Sequence, residues 1–356
     1  MNKRTLTSPR ALVGAGLISP ASAQALAPVA ERFAVAVTPA MAALIDPIDP
    51  ADPIARQFVP DRAELDVRPE ELADPIGDAA HRPVGGIVHR YPDRALLTLT
   101  HACPVYCRFC FRREVVGPGG HKRLEGEALE SALSYLAATP AIWEVILTGG
   151  DPLAVAPARL AAVMRRLGAM AHVRVIRVHS RVPAVAPQRI DAALIAALRA
   201  SGKPVYVALH ANHPRELTAA ARAACARLVD AGLPMLSQSV LLAGVNDDVE
   251  TLAALMRAFV ETRIKPYYLH HLDLARGASH LRVPLEKGQA LMRALQGRVS
   301  GLCLPAYMLD IPGGHGKIPV GPQWLDAMEN GAWRARDPFG GEHVYPPPAD
   351  RGGRTA

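Results

Sequence analysis

From Arg94 to Leu309 the chain alternates short apolar runs, many of them β-branched, with longer stretches of helical period. The runs predict strands at 95–100, 144–147, 173–178, 205–209, 236–241, 266–269 and 304–309. The intervening periodicity predicts helices at 125–138, 157–170, 191–200, 215–231 and 249–262. Strands separated by helices pair in parallel, and right-handed crossovers curl such a sheet into a full or partial barrel. The fold class expected is therefore α/β.

In a barrel of this kind the ends of the strands share one face, where active sites sit. The polar residues follow that rule. A cysteine loop follows the first predicted strand, Gly149-Gly150-Asp151-Pro152 the second and Ser180-Arg181 the third. His210-Ala211-Asn212-His213 follows the fourth strand, Asp273 the sixth, and Asp310 with a glycine loop the last. Dispersed motifs thereby become one candidate site.

The cysteine loop, His101 to Arg113, holds three of the five cysteines as Cys103, Cys107 and Cys110, spaced C-x3-C-x2-C. Thiolates are soft ligands suited to zinc or to iron–sulfur clusters, and both usually take four. Cys225 and Cys303 lie far downstream and read as buried singletons. Three thiolates on a four-iron cluster leave one iron open, whereas a zinc knuckle lacks its fourth ligand. The odd count and the chain length disfavour a disulfide framework. The spacing, with Phe109 before the last cysteine, is that of radical S-adenosylmethionine enzymes.

Two other loops gain meaning from their position. Gly149 and Gly150 allow close backbone approach, and Asp151 offers a charged acceptor, although a plain strand-ending turn uses the same residues. In Asp310-Ile311-Pro312-Gly313-Gly314-His315-Gly316-Lys317 the P-loop spacing fails, because Ile318 follows the lysine. A lysine on such a loop can instead form a Schiff base with an aldehyde cofactor. Asp273 and Asp310 place two carboxylates toward one pocket, fit to bind a cationic group or to do acid–base work. The histidines at 210, 213, 270, 271, 280 and 315 lack a helical metal-binding pattern and are expected to line the site or pack in the core.

Composition sets the outer bounds. Half of the 356 residues are hydrophobic and 21% are charged, enough for a large core. The formal charge of +7 comes from scattered arginines, with no aromatic-plus-basic stripe, so anionic small molecules are expected rather than nucleic acid. No apolar run approaches the ~20 residues that span a bilayer. Lys3, Arg4 and the apolar residues up to Ile18 imitate a signal peptide loosely, but Gly14 and Gly16 interrupt them. Ser19-Pro20 fits a helix start, with an alanine-rich helix at 21–33 bent at Pro28. Residues 34–92 carry many prolines and acidic turns and are expected to wrap the body, anchored by Ile54, Phe58 and Val59. The organisation expected is an arm over 1–92, a barrel over 93–320 and a tail over 321–356, in a cytoplasmic protein.

Together these residues resemble the lysine 2,3-aminomutase family, over 36–320. The resemblance includes the Asp-Pro-rich arm, His89-Arg90-Tyr91-Pro92-Asp93-Arg94, the cysteine loop and Ser180-Arg181-Val182-Pro183. Asn212-His213-Pro214, Gln238-Ser239-Val240-Leu241 and Pro312 to Lys317 extend it. It implies the partial radical S-adenosylmethionine barrel. It also implies conversion of L-lysine to β-lysine, with a 4Fe–4S cluster, S-adenosylmethionine and pyridoxal 5′-phosphate.

By the same resemblance Cys103, Cys107 and Cys110 ligate the cluster, and Lys317 is the catalytic lysine that holds pyridoxal phosphate. Gly149, Gly150, Asp151, Ser180, Arg181 and Gln238 contact cofactors. Arg112 pairs with the substrate carboxylate, while Asp273 and Asp310 grip the distal ammonium of lysine. An electron donor such as flavodoxin or ferredoxin is implied, as is a homo-oligomer, with neither nucleic acid nor membrane as partner. His315 departs from the family loop, where glycine is usual, and the cysteine-rich zinc-binding tail of longer members is missing here. Two alternatives keep the same machinery: a branch making (R)-β-lysine for modifying elongation factor P, and a relative acting on another amino acid.

Overall fold

The computed structural model describes residues 4–116 and 123–347. Lys3 of the leader-like segment and residues 348–356 of the expected tail lie outside the described residues.

One sheet of nine strands runs in sequence order: β1 (Ile87–Tyr91), β2 (Arg94–Thr100), β3 (Glu144–Gly149), β4 (Val175–Ser180), β5 (Val205–His210), β6 (Met235–Val240), β7 (Ile264–His270), β8 (Ala306–Asp310) and β9 (Lys317–Pro319). Neighbours from β2 to β8 are parallel, while β1 and β9 join antiparallel at the two edges. The order does not close on itself, so the α/β architecture is a curled partial barrel. In the middle of β3 and β4 several consecutive residues are buried, as expected of parallel strands covered on both faces.

The crossovers are helices Gly126–Ala137, Pro157–Gly168, Ala192–Arg199, Ala219–Asp230, Val249–Glu261 and Leu285–Leu295. Asp191, Thr218 and Asp248 cap three of them by accepting from the backbone N–H of Leu194, Ala221 and Thr251. Each helix turns an apolar stripe to the sheet; in Pro157–Gly168 it is Leu160, Val163, Met164 and Leu167. Of the helices expected, 215–231 is divided: a 3₁₀ turn at Pro214–Glu216 precedes the helix that Thr218 caps. The segment expected as one bent helix is two, Pro20–Ala25 and Ala27–Arg32, which meet at Leu26. Pro28 lies in the first turn of the second, where its missing N–H costs no bond. Ser19 does cap the first, accepting from Ser22 N at 3.0 Å.

Residues 34–86 hold only short helical turns, yet they are fixed to the body. Ile54 and Phe58 are fully buried in the main core, with Val59 packed on it. The stronger tie is ionic. Glu64, capping its turn with Asp61, receives Arg108 Nε at 2.9 Å and also pairs with the outer nitrogens of Arg108 and Arg113. All three side chains are shut off from solvent. Arg108 also donates to Ala34 O at 2.7 Å, and Arg113 to Gly277 O at 3.0 Å while lying 3.7 Å above the Phe33 ring.

After β9 a small antiparallel sheet, β10 (Leu325–Ala327), β11 (Trp333–Arg336) and β12 (Glu342–Tyr345), stands apart from the main one. Among the described residues no helix is long and apolar enough to cross a membrane.

Removing one partner of a buried ion pair strands the other charge, at a cost of about 3–5 kcal/mol. Glu64→Gln is therefore expected to lower the urea midpoint, with a loss of unfolding free energy in that range, because it leaves two buried arginines without a counter-charge. An unchanged midpoint would show that the triad does not hold the arm down.

Candidate active site at the strand ends

The cysteine loop leaves β2 at Thr100 without regular structure of its own and is held by the arm's backbone. Tyr106 N donates to Ala36 O and Arg108 N to Gln57 O, each at 2.9 Å. Tyr106 Oη closes the loop by donating to Arg113 O at 2.7 Å. Cys103, Cys107 and Cys110 are free thiols, half-buried by exposure. Burial raises the pKa of each, to about 12 at Cys110, so ligand binding there would be coupled to proton release.

Among the described residues no three His, Cys, Asp or Glu side chains converge closely enough to hold a single metal ion. An iron–sulfur cube takes each thiolate on a different corner and suits wider spacing. Three thiolates from one loop would occupy three corners of such a cube and leave the fourth iron open.

The Gly-Gly-Asp turn ending β3 packs onto this loop. Gly150 N donates to Thr100 O at 2.7 Å and Asp151 N to Ala102 O at 2.9 Å. A Cβ on Gly150 would collide with the backbone of His101 and Ala102, so the close approach that this glycine permits is to the cysteine loop itself. The Asp151 carboxylate staples β3 to β4, accepting from Ser180 Oγ at 2.8 Å, Arg181 N at 2.8 Å and Leu153 N at 3.0 Å. Burial nonetheless raises its pKa.

Arg181 then reaches the loop from behind. Its Nη1 donates to Cys107 Sγ at 3.3 Å, and its Nη2 to Gln57 Oε1 at 3.1 Å and to the Glu216 carboxylate. Asn212 Nδ2 donates to the same Gln57 oxygen at 3.1 Å, and Asn212 N to Glu216 Oε1 at 2.8 Å.

Across the site, β9 runs back along β8 with Lys317 in register with Asp310. The two side chains form an ion pair, and Lys317 N donates to Tyr91 Oη at 2.8 Å. Asp310 is buried, 3.9 Å from both Arg90 Nη1 and His270 Nδ1, and its Oδ1 has no hydrogen-bond partner. Asp273, just beyond β7, has its pKa raised to about 7, first by burial and next by Asp310; Lys317 and Arg112 pull it down. Asp310 and Lys317 are thus in contact, and Asp273 lies near enough to both and to Arg112 to feel their charges.

The Arg112 guanidinium donates from Nε at 3.0 Å and Nη2 at 2.6 Å to Asp78 Oδ2, and from Nη1 at 3.3 Å to Thr148 Oγ1. Behind these groups lie His179 of β4, His210 of β5 and His270 of β7. Burial lowers all three pKa values, that of His210 to about 3, so the imidazoles are neutral. Gln238 of β6 is buried and hydrogen-bonds His210. The other histidines serve elsewhere: His213 accepts from Arg215 N, His271 meets Tyr307 Oη at 2.8 Å, and His315 is exposed.

Sequence reasoning did not single out Gln57, Glu64, Asp78, Tyr91, Glu216 or His179. Arg90 and Tyr91 stood in a quoted motif without a role. Glu216, two residues beyond Asn212-His213-Pro214, was the one of these that a local pattern could have flagged.

A model of the radical SAM superfamily matches residues 97–256. The chain is 40% identical over 302 residues to an L-lysine 2,3-aminomutase of Clostridium subterminale, covering 85% of this chain and 72% of that one. It is 39% identical over 336 residues to a putative L-lysine 2,3-aminomutase of Treponema pallidum, with 92% and 93% covered. A glutamate 2,3-aminomutase of Clostridioides difficile is 34% identical over 297 residues, with 83% and 70% covered.

The pKa of Asp273 carries a stability prediction. Folding raises it from its ordinary value near 4 to about 7. Between those values the folded chain holds the proton and the unfolded chain does not, so this group makes stability fall as pH rises. Asp273→Asn removes the effect. The variant should melt near the native protein at pH 5 and above it at pH 8; equal melting temperatures at both would contradict the raised pKa.

Proposed function

The chain belongs to the lysine 2,3-aminomutase family of the radical SAM superfamily, and from that premise we propose that it moves the α-amino group of L-lysine to the β-carbon to give β-lysine. Membership makes it an isomerase that works with a 4Fe–4S cluster, S-adenosylmethionine and pyridoxal 5′-phosphate. When bound, these groups supply hydrogen-atom abstraction and a carbonyl through which the migrating nitrogen is activated.

The residues would divide the work as follows. Cys103, Cys107 and Cys110 hold the cluster, and Gly149, Gly150, Asp151, Ser180, Arg181 and Gln238 shape the cofactor surface around it. Lys317 holds pyridoxal phosphate until substrate arrives, its amine kept beside Asp310 by the β8–β9 pairing. Arg112 takes the substrate carboxylate, for which a planar fork is suited. Asp273 and Asp310 take the distal ammonium. The neutral imidazoles of His179, His210 and His270 add no charge to the interior where the reaction would run. A flavodoxin or ferredoxin would deliver the electron.

One observation carries the choice of lysine: a buried carboxylate pair in which Asp310 Oδ1 lacks a hydrogen-bond partner and Asp273 resists ionisation. A substrate ammonium relieves both conditions. A side-chain carboxylate, as in glutamate, would deepen them.

The test is an anaerobic assay of iron–sulfide-reconstituted protein with pyridoxal phosphate, S-adenosylmethionine and reductant, offering lysine and glutamate separately. β-Lysine should form from lysine and not after Lys317→Ala. Asp273→Asn and Asp310→Asn should each raise KM for lysine about tenfold or more, as expected for losing a charged contact. With native enzyme, kcat/KM for lysine should fall below about pH 7 as free Asp273 takes up its proton. The kcat profile should stay flatter, because bound ammonium lowers that pKa. Turnover of glutamate instead would leave the radical machinery in place and overturn the substrate.

A further inference from the structure

Arg112 is held before any substrate reaches it. Asp78, from the arm, takes two of its five N–H donors, on Nε and Nη2, and Thr148 takes one on Nη1. One N–H remains on each of Nη1 and Nη2, a pair suited to the two oxygens of a carboxylate. Asp78 is itself buried and cannot swing freely. Its Oδ1 accepts from Arg90 Nη2 at 3.2 Å, and its backbone N–H donates to Asp74 Oδ1 at 2.9 Å.

The turn that carries Asp78 is clamped to the lysine loop. Gly77, at φ 65°, lies so close that a Cβ there would overlap the backbone of Gly313 and Gly314. His81 Nε2 meets Gly314 O at 3.0 Å. Residues 74–81 thus touch the arginine of the cysteine loop at one point and the lysine loop at another.

We propose that Asp78 is a positioning residue for recognition of the substrate α-carboxylate: it braces one edge of Arg112 so that the other edge meets the substrate in a geometry fixed relative to Lys317. This rests on the reading of Arg112 given above. Asp78 does not touch substrate; it sets the direction of the group that does. Neither the cysteine motif nor the lysine loop contains it, so it is a third determinant of substrate placement, supplied by the arm.

The test uses reconstituted holoenzyme with lysine as substrate and 1,5-diaminopentane, which lacks the carboxylate, as competitive inhibitor. Asp78→Asn keeps the shape and removes the charge; Asp78→Ala removes the brace. Both should raise KM for lysine about tenfold or more, the effect of disturbing one charge-assisted contact. Both should leave Ki for diaminopentane within about twofold, because the pocket is otherwise intact and the inhibitor makes no such contact.

Arg112→Gln separates the proposal from its premise. If it leaves KM for lysine unchanged, the reading of Arg112 fails and the proposal with it. If Arg112→Gln raises KM and neither Asp78 variant does, the premise stands and the proposal is overturned. A parallel rise in Ki in both Asp78 variants would make Asp78 a general support of the pocket and would equally overturn it.

Discussion

Two arginines of one irregular loop give their charge to a single carboxylate from a distant part of the chain. Glu64 meets Arg108 and Arg113 where none of the three side chains reaches water. Charges buried this way are tolerated only when paired and hydrogen-bonded, so the loop and the arm are obliged to adopt one another's geometry. Cys107 and Cys110 lie within that frame, between or beside the two arginines in sequence. The conformation of the cysteine loop is therefore set by the arm as much as by the barrel strand that precedes it.

The barrel explains why the remaining groups meet. Parallel strands point their carboxyl ends one way, so residues following β2, β3, β4, β7 and β8 share a face although they span more than half the sequence. Charged groups of both signs meet on that face. Arg112 belongs to the cysteine loop, while Asp273 and Asp310 stand at the ends of β7 and β8, with Lys317 paired to Asp310.

Much of this could be read without coordinates. Alternating apolar runs located the parallel strands, because strands covered on both faces must be apolar throughout. Cysteine spacing and the lysine loop were local, and Asp310 and Lys317 met through nothing more distant than a tight turn into β9. Helix Leu285–Leu295 was missed although its apolar residues have helical spacing; Gly288 near its middle lowers the propensity that such a reading weighs. Asp78, Gln57 and Glu64 were illegible for a different reason. Each sits in a proline-rich segment whose acidic and polar residues look like turn chemistry, and their partners lie 34, 124 and 44 residues away in Arg112, Arg181 and Arg108. Pairing over such distances leaves no periodic trace.

The sheet ends in a strand with a neighbour on one side only. β9 is three residues long, its pairing is confined to β8, and Lys317 is its first residue. The hydrogen bond from Lys317 N to Tyr91 Oη bridges the gap to the opposite edge of the sheet with a side chain rather than a backbone ladder. In carpentry terms, the staves of the barrel are joined by backbone ladders and its seam by side chains, and the lysine sits on the seam. What closes the seam around that lysine is therefore a choice of particular side chains, Tyr91 and His81 among them, and not a property of the sheet.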